Sequence, residues 1–358
     1  METQLASMVK ISSLKSGQQL PLLIEPAEGA LNDASNLKHW LEENKAFINQ
    51  KIIEYGAILF RGFDVNGPEQ FENVAQGVDP DLKNNYLGTS PRNAVSKYVF
   101  SASELPPYYP IMQHCEMSFL PNPPRKLFFY CHIEPTEGGE TPIVDFRKVY
   151  QDLDPKIREE FERKGIKNIR NYNGPTAKAK FDLWKLKRWD EMFLTTDKKV
   201  VEESCKKNGL EFHWKDDDKL VLINDQEAIA KHPITGEKVW FNHLQVFHEA
   251  AAAIEYGYIA KRQKNLRAAS FNVFTSLMSS IKKLTTKDGD QAMNCTFRDG
   301  TPIPVSYVKH VEEVIWKNMV IFSWRKGDVL AIDNFSTSHG RLPYNCPREI
   351  QVCWAADN

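Results

Sequence analysis

The side chains best suited to chemistry begin in Pro110-Ile-Met-Gln-His-Cys-Glu-Met-Ser-Phe119, where His114 and Glu116 stand two residues apart. In extended chain, residues i and i+2 point to the same face, so an imidazole nitrogen and a carboxylate oxygen converge while Cys115 turns away. Far downstream, the apolar run Asp328-Val-Leu-Ala-Ile-Asp-Asn-Phe-Ser-Thr-Ser-His-Gly-Arg341 leads into His339. Two histidines and one carboxylate form the facial triad of non-haem Fe(II) oxygenases, which leaves coordination positions open. A lone His-x-Glu is common by chance, so the weight rests on its company. Gly138-Gly-Glu-Thr-Pro142 is a tight turn carrying a hydroxyl, and Arg348 opens the apolar strand Glu349-Ile-Gln-Val-Cys-Trp354. A guanidinium presents two parallel N–H donors to a carboxylate, which makes Arg348 a candidate anchor for a carboxylate-bearing ligand.

These stretches resemble the taurine dioxygenase/TfdA family of Fe(II)/2-oxoglutarate oxygenases, and most of all its SyrP-like branch from natural-product pathways. The matching blocks are His114-Cys-Glu-Met-Ser118, Pro123-Pro-Arg-Lys-Leu-Phe-Phe-Tyr130, Gly138-Gly-Glu-Thr-Pro142, Pro233-Ile-Thr-Gly-Glu-Lys-Val-Trp-Phe-Asn242 and Gly327-Asp-Val-Leu-Ala-Ile-Asp-Asn334. His339-Gly-Arg-Leu-Pro-Tyr344 and Pro347-Arg348 complete the set, which covers about residues 50 to 356. The resemblance implies a double-stranded β-helix (jelly roll) with flanking helices, mainly β. It implies His114, Glu116 and His339 as iron ligands, with 2-oxoglutarate held by Arg348 and Thr141 and O2 as the other co-substrate. It also implies a substrate space near Trp240 and Asn242. Arg341 has two readings: it faces the metal pocket and meets a substrate carboxylate or assists 2-oxoglutarate, or it holds the Asp333-Asn334 turn.

The reaction implied is hydrogen abstraction from a substrate C–H, with succinate and CO2 as co-products. Hydroxylation is the first outcome and oxidative ring closure the second. Glu116 keeps a carboxylate where related halogenases carry a small residue, which argues against halogenation. By the same resemblance the substrate is an amino acid or amino-acid-derived natural product, free or tethered to a carrier protein. Two other classes compete on the residues alone. A zinc hydrolase with two histidines and a glutamate needs a general base beside the metal, and no H-E-x-x-H motif occurs. A non-catalytic β-helix binding protein needs neither an intact triad nor the keto-acid arginine.

Composition bounds the rest. With 42% apolar and 26% charged residues the chain can build a sizeable core, and a net charge of −1 gives it no general pull toward nucleic acid or an anionic membrane. Six cysteines without a C-x-x-C pair, and a start (Met1-Glu-Thr-Gln-Leu-Ala) lacking basic and apolar signal regions, point to free thiols in a reducing cytoplasm. Lys185-Leu-Lys-Arg188 reads as a solvated helix face.

The elements that must position these groups follow from periodicity and punctuation. Apolar residues from Leu37 to Ile52 recur at helical spacing between caps at Asp33 or Ser35 and a stop at Gly56. Ala57-Ile-Leu-Phe-Arg-Gly-Phe63 reads as a buried strand, and Pro68 opens a helix. Residues 80 to 110 read as loop at the pocket rim. Helices are expected after Asp154 and around Thr195–Gly209, hairpin turns at Asp216–Asp218 and Thr235–Gly236, and a helix from Ala250 toward Lys264. The two halves of the triad are separated by about residues 165 to 300. The whole chain is therefore expected to be one domain, with core strands at about 55–150 and 300–356 and a helical insertion lying over the pocket.

Overall fold

The computed structural model describes residues 8–84, 92–176, 188–264, 266–285 and 291–356. The strands are β1 (Val9–Ser13), β2 (Leu22–Pro26), β3 (Ala57–Phe60), β4 (Leu82–Lys83), β5 (Phe100–Ser101), β6 (Ile111–His114), β7 (Lys126–Ile133), β8 (Ile143–Asp145), β9 (Ile166–Tyr172), β10 (Glu211–Lys215), β11 (Lys219–Gln226), β12 (Ile229–Lys231), β13 (Lys238–Trp240), β14 (Met293–Phe297), β15 (Val329–Asp333), β16 (Thr337–Arg341) and β17 (Glu349–Ala355). The helices are α1 (Ala34–Glu43), α2 (Lys45–Tyr55), α3 (Pro68–Val78), α4 (Phe146–Asp152), α5 (Pro155–Lys164), α6 (Trp189–Phe193), α7 (Lys198–Lys207), α8 (Leu244–Phe247), α9 (Ala251–Gln263), α10 (Leu266–Thr285) and α11 (Val305–Lys317).

A major sheet runs β1-β2-β3-β15-β7-β17-β4, with β5 also on β17, and a minor sheet runs β6-β16-β8. This is the jelly roll expected from the sequence. The strands of the major sheet read as unbroken apolar runs because both faces are covered. Along β7, Leu127, Phe129 and Cys131 enter the core between the sheets, with Leu330, Ile332 and Val352. Phe128 and Tyr130 turn to the opposite face, where α1, α2 and α3 deliver Leu37, Trp40, Ile48, Ile52, Phe71 and Val74. Each such side chain gains roughly 1.5–3 kcal/mol from burial.

The helix expected over residues 36–53 is two helices. Asp33 caps the first as expected, accepting from the backbone N–H groups of Ser35 and Asn36. Asn44 then ends it, its side chain donating to the Trp40 carbonyl at 2.8 Å, and the chain restarts at Lys45. An amide that competes for backbone hydrogen bonds breaks a helix the apolar spacing alone would continue. Gly56 closes the second helix with φ 78°. The rim at 80–110 contains only the short strands β4 and β5 among its described residues.

Between β9 and β14 lies more than helix. β10-β11-β9-β14 form an antiparallel sheet of their own, and β12-β13 a separate hairpin. Asp217 and Asp218 take φ of 59° and 60° in the turn between β10 and β11, the left-handed geometry of a tight hairpin. Apolar residues of this segment, including Trp189, Val201, Leu222 and Trp240, pack in one cluster with Cys115, Met117 and Val144 of the jelly roll. All six cysteines are free. Among the described residues no helix is long and apolar enough to cross a membrane. The start at 1–7 and Lys185–Lys187 of the basic run lie outside the described residues.

Candidate active site

The two halves of the motif meet because β6 and β16 pair antiparallel with His114 opposite His339. Their rings lie 4.3 Å apart between centroids, and Glu116 joins them, with one ligand atom from each residue within 4.8 Å of the others. Beyond His339 the register shifts at Gly340, where a Cβ would stand 2.6 Å from the Ile111 carbonyl oxygen. Glycine is what lets β16 pass β6 this closely.

The expectation that Glu116 shares a strand with His114 is corrected by the fold. β6 ends at His114, and Glu116 lies in the turn that follows, where Met117 takes φ 53°. A non-glycine residue in the left-handed region is strained and persists only where neighbours hold it. Asn334 supplies that hold. Its Oδ1 accepts from the Glu116 N–H at 2.6 Å, and its Nδ2 donates to the Glu116 and Pro124 carbonyls at 2.9 and 2.7 Å. The adjoining Asp333 is pinned by His232 at 2.8 Å, which ties the hairpin β12-β13 to the turn ahead of His339.

Protonation states follow from the surroundings. His114 donates from Nδ1 to the Met112 carbonyl at 2.9 Å; a carbonyl can only accept, so Nε2 is left with its lone pair. Burial pushes the His114 imidazole below its ordinary value. Burial and the neighbouring His114 push His339 well below its own. Both rings are therefore neutral. Nδ1 of His339 is buried without a hydrogen-bond partner, and its Nε2 lies 3.8 Å from Oε2 of Glu116. Two neutral imidazoles and a carboxylate converging in one buried cluster fit a divalent transition metal.

The opposite wall is cationic. Arg348 donates from Nε to the Gly139 carbonyl at 2.6 Å and from Nη2 to Thr141 Oγ1 at 3.3 Å. Gly139 has φ 67°, and a Cβ there would meet Arg348 Cδ at 2.8 Å, so this turn is shaped around the guanidinium. Thr141 Oγ1 also accepts from Trp324 Nε1 at 3.0 Å. With two donors on its oxygen, the hydroxyl has its proton free to donate outward. Burial and the nearby Arg341 lower Arg348 to about 10, so it remains charged at neutral pH. Arg348 and Thr141, with His114, His339 and Arg341, line a narrow cavity of about 20 Å³.

Three expected substrate contacts have other partners. Arg341 lines the cavity, but its Nη atoms donate to the Leu105, Pro106 and Tyr109 carbonyls at 2.7–3.1 Å, and not to the 333–334 turn. Trp240 is fully buried, with Nε1 on Gln245 at 3.2 Å, edge-on to Phe161. Asn242 donates to the Ala228 carbonyl at 2.8 Å and accepts from the Leu244 N–H at 2.9 Å. Neither of the last two lines the cavity.

Sequence reasoning missed Arg92, whose Nη2 lies 2.6 Å from Glu116 Oε2. A lone arginine in a loop gives no signal of its own; only the folding-back of residues 92–103 brings it there. His243 was also missed. It hydrogen-bonds through Nδ1 with Ser118 Oγ at 2.7 Å, and its ring meets His114 edge-on at 5.7 Å.

Comparison with known proteins agrees with this geometry. The model of the taurine catabolism dioxygenase TauD, TfdA family matches residues 23–354. The chain belongs to the TauD/TfdA family. It is an Fe(II)/2-oxoglutarate-dependent dioxygenase, and the zinc-hydrolase and binding-protein readings give way. Among curated relatives, the dapdiamide synthesis protein DdaC of Enterobacter agglomerans is 31% identical over 307 residues, 85% of this chain and 83% of that one. A clavaminate synthase-like protein of Arabidopsis thaliana is 30% identical over 320 residues, 87% and 84% of the two chains. A taurine dioxygenase of Burkholderia xenovorans shares the TauD/TfdA fold at TM-score 0.52 and 14% identity, covering 98% of this chain and 90% of that structure.

Proposed function

We propose that this dioxygenase binds its iron through His114, Glu116 and His339 and its 2-oxoglutarate through Arg348 and Thr141. Its substrate, on this reading, is a small amino-acid-like or natural-product molecule. The observation that carries the metal assignment is the pairing of His114 with His339 across β6 and β16, with the Glu116 carboxylate inside the same 4.8 Å cluster.

When bound, iron with O2 and 2-oxoglutarate supplies the oxidant: the keto acid leaves as succinate and CO2 while one substrate C–H is oxidised. The chain's own residues set geometry. The Met112 carbonyl holds the ring of His114 so that Nε2 is free to bind, and Asn334 fixes the backbone from which Glu116 reaches inward. Arg92 holds one oxygen of that carboxylate and so limits its rotation. Arg348 offers a charged N–H and Thr141 a hydroxyl proton to the distal carboxylate of the keto acid, which fixes its orientation. Phe129 packs on His339 at 4.9 Å and helps keep water from the cluster.

Hydroxylation is the first outcome and oxidative ring closure the second. The amino-acid-derived substrate is favoured by the relationship to a dapdiamide synthesis protein. Tethering to a carrier protein belongs to the same reading. So does a single domain in which the segment from about 165 to 300 is an insertion over the pocket, supported by the core it shares with Cys115 and Val144. Six unpaired cysteines favour a cytoplasmic setting.

The test is succinate release with Fe(II), O2 and 2-oxoglutarate over amino-acid derivatives, offered free and carrier-bound. Stimulation by members of that set supports the substrate class. Stimulation only by aliphatic sulfonates or aryloxy acids would replace it.

A further inference from the structure

The sheet β10-β11-β9-β14 carries charge on a face that should be apolar. Along β9, Ile166, Asn168, Arg170 and Tyr172 are buried while the intervening residues are partly exposed. A strand covering a core places apolar side chains at each inward position. Here Asn168 and Arg170 take two of the four, both fully buried. Arg170 stands opposite Leu222 of β11 and Met293 of β14, in the middle of the sheet and not at an edge.

The guanidinium of Arg170 is poorly satisfied. Its hydrogen bonds are long, 3.4 Å to the Tyr172 hydroxyl and 3.5 Å to Asn224 Oδ1, and both partners are neutral. Nε has no partner, and neither has Oδ1 of Asn168 on the same face. Among the described residues no carboxylate pairs with Arg170. A buried cation without a counter-charge is among the most costly groups a core can hold.

Its location gives the charge a use. Arg170 lies over the ring of Phe119 at 4.3 Å. Phe119 meets His243 edge-on at 4.9 Å, and His243 meets His114 at 5.7 Å. Asn224, which faces Arg170, donates to the Phe119 carbonyl at 3.0 Å. The guanidinium thus stands three ring contacts from a histidine of the candidate metal cluster.

We propose that Arg170 receives a carboxylate of the oxidised substrate. The inference rests on the oxygenase reading and deepens it. The substrate therefore carries a free carboxylate away from the carbon that is oxidised, whether or not another of its groups is tethered. A molecule whose only carboxylate is consumed in a thioester to a carrier does not fill this site.

The test uses the full chain saturated with Mn(II) and N-oxalylglycine, a 2-oxoglutarate analogue, so that the metal and Arg348 are already occupied. Sodium salts of linear carboxylates from acetate to hexanoate are titrated against the matching amides and sodium chloride, and the melting temperature is followed. The wild-type protein is expected to be stabilised by the acids beyond chloride and not by the amides. Arg170→Met, which removes the buried charge, should melt about 2–4 °C higher without ligand and lose the response to acids. Arg170→Lys keeps a charge without the fork and should respond more weakly; if Arg170→Met does not fold, this variant decides. An undiminished response in the variants, or a wild-type protein that does not distinguish acid from amide, overturns the proposal. Failure of Mn(II) and N-oxalylglycine to stabilise the wild-type protein counts against the oxygenase reading instead, and the same titration without them still tests Arg170.

Discussion

Arg61, buried, and Arg348, half-buried, both flank strands of the major sheet and are satisfied in opposite ways. Arg61, just past β3, forks onto Asp328 at the start of β15, Nε to Oδ1 at 3.0 Å and Nη2 to Oδ2 at 2.6 Å. Burial pulls the Asp328 carboxyl upward while Arg61 opposes it. Arg348 has a carbonyl and a hydroxyl for partners, and a second arginine, Arg341, opposes its charge. A buried guanidinium that carries its own carboxylate is a strut, closed to ligands. One held only by neutral acceptors keeps its charge available for an anion that arrives later.

The metal end of the cavity gives the sharpest break. His339→Ala removes one of three converging ligands and leaves the sheet's packing largely intact. Turnover should fall by about a thousandfold or more, equivalent to about 4 kcal/mol, and iron should no longer be retained. Succinate formation at the wild-type rate would move the metal elsewhere.

Next in size is the strut. Asp328→Ala strands Arg61 in the core and should cost about 3–5 kcal/mol of stability, read from urea unfolding. The double change Arg61→Met, Asp328→Leu should recover most of it. If the single variant unfolds like the wild type, the pair is not the strut that the comparison requires.

Arg348→Met should do the reverse, leaving stability equal or higher while raising the 2-oxoglutarate requirement by about ten- to a hundredfold. That corresponds to the 1.5–3 kcal/mol typical of a hydrogen bond to a charged group. Thr141→Val should act in the same direction by about fivefold, since its hydroxyl bond is uncharged on the protein side. An unchanged requirement in Arg348→Met removes the anchor from β17.

The contrast also explains what could be read from the chain before it folded. His114, Glu116, Thr141, His339 and Arg348 were legible because each sits in a short block whose residue types suit one chemistry. Asn334 lay within such a block, yet its bonds to Glu116 depend on a turn that Met117 bends into the left-handed region. Arg92 gave no sign, because it acts from a loop that folds back, and Arg170 is an arginine in a strand, where arginine usually faces water. A faint signal for Arg170 existed in its period, since Ile166 and Tyr172 share its face. Trp240 and Asn242 were conspicuous for a different reason: their block builds the core of the inserted segment. The helix break at Asn44 and the sheet β10-β11-β9-β14 show the same limit, because local side-chain bonds and long-range pairing override apolar spacing.

A third kind of buried group is a pair of acids that, among the described residues, forms no ion pair. Glu255 of α9 accepts from Trp316 Nε1 at 2.7 Å, and Oε1 of Glu312 on α11 has no partner. Burial raises Glu255 from 4.5 to about 7, and burial with the neighbouring Glu255 raises Glu312. Between pH 4.5 and 7 the folded chain holds a proton on Glu255 that the unfolded chain has released. The stability this contributes is therefore complete below pH 4.5 and lost as the pH rises through 7. His114, His243 and His339, pushed below their ordinary value by burial, act with the opposite sign below about pH 6.5. The clean readout is a difference. Glu255→Gln keeps an acceptor for Trp316 and copies the protonated acid, so its melting temperature should exceed that of the wild type at pH 8 and converge with it at pH 5. Curves that stay parallel from pH 5 to 8 would mean that Glu255 titrates as an ordinary solvated acid, and that the α9–α11 contact carries no buried proton.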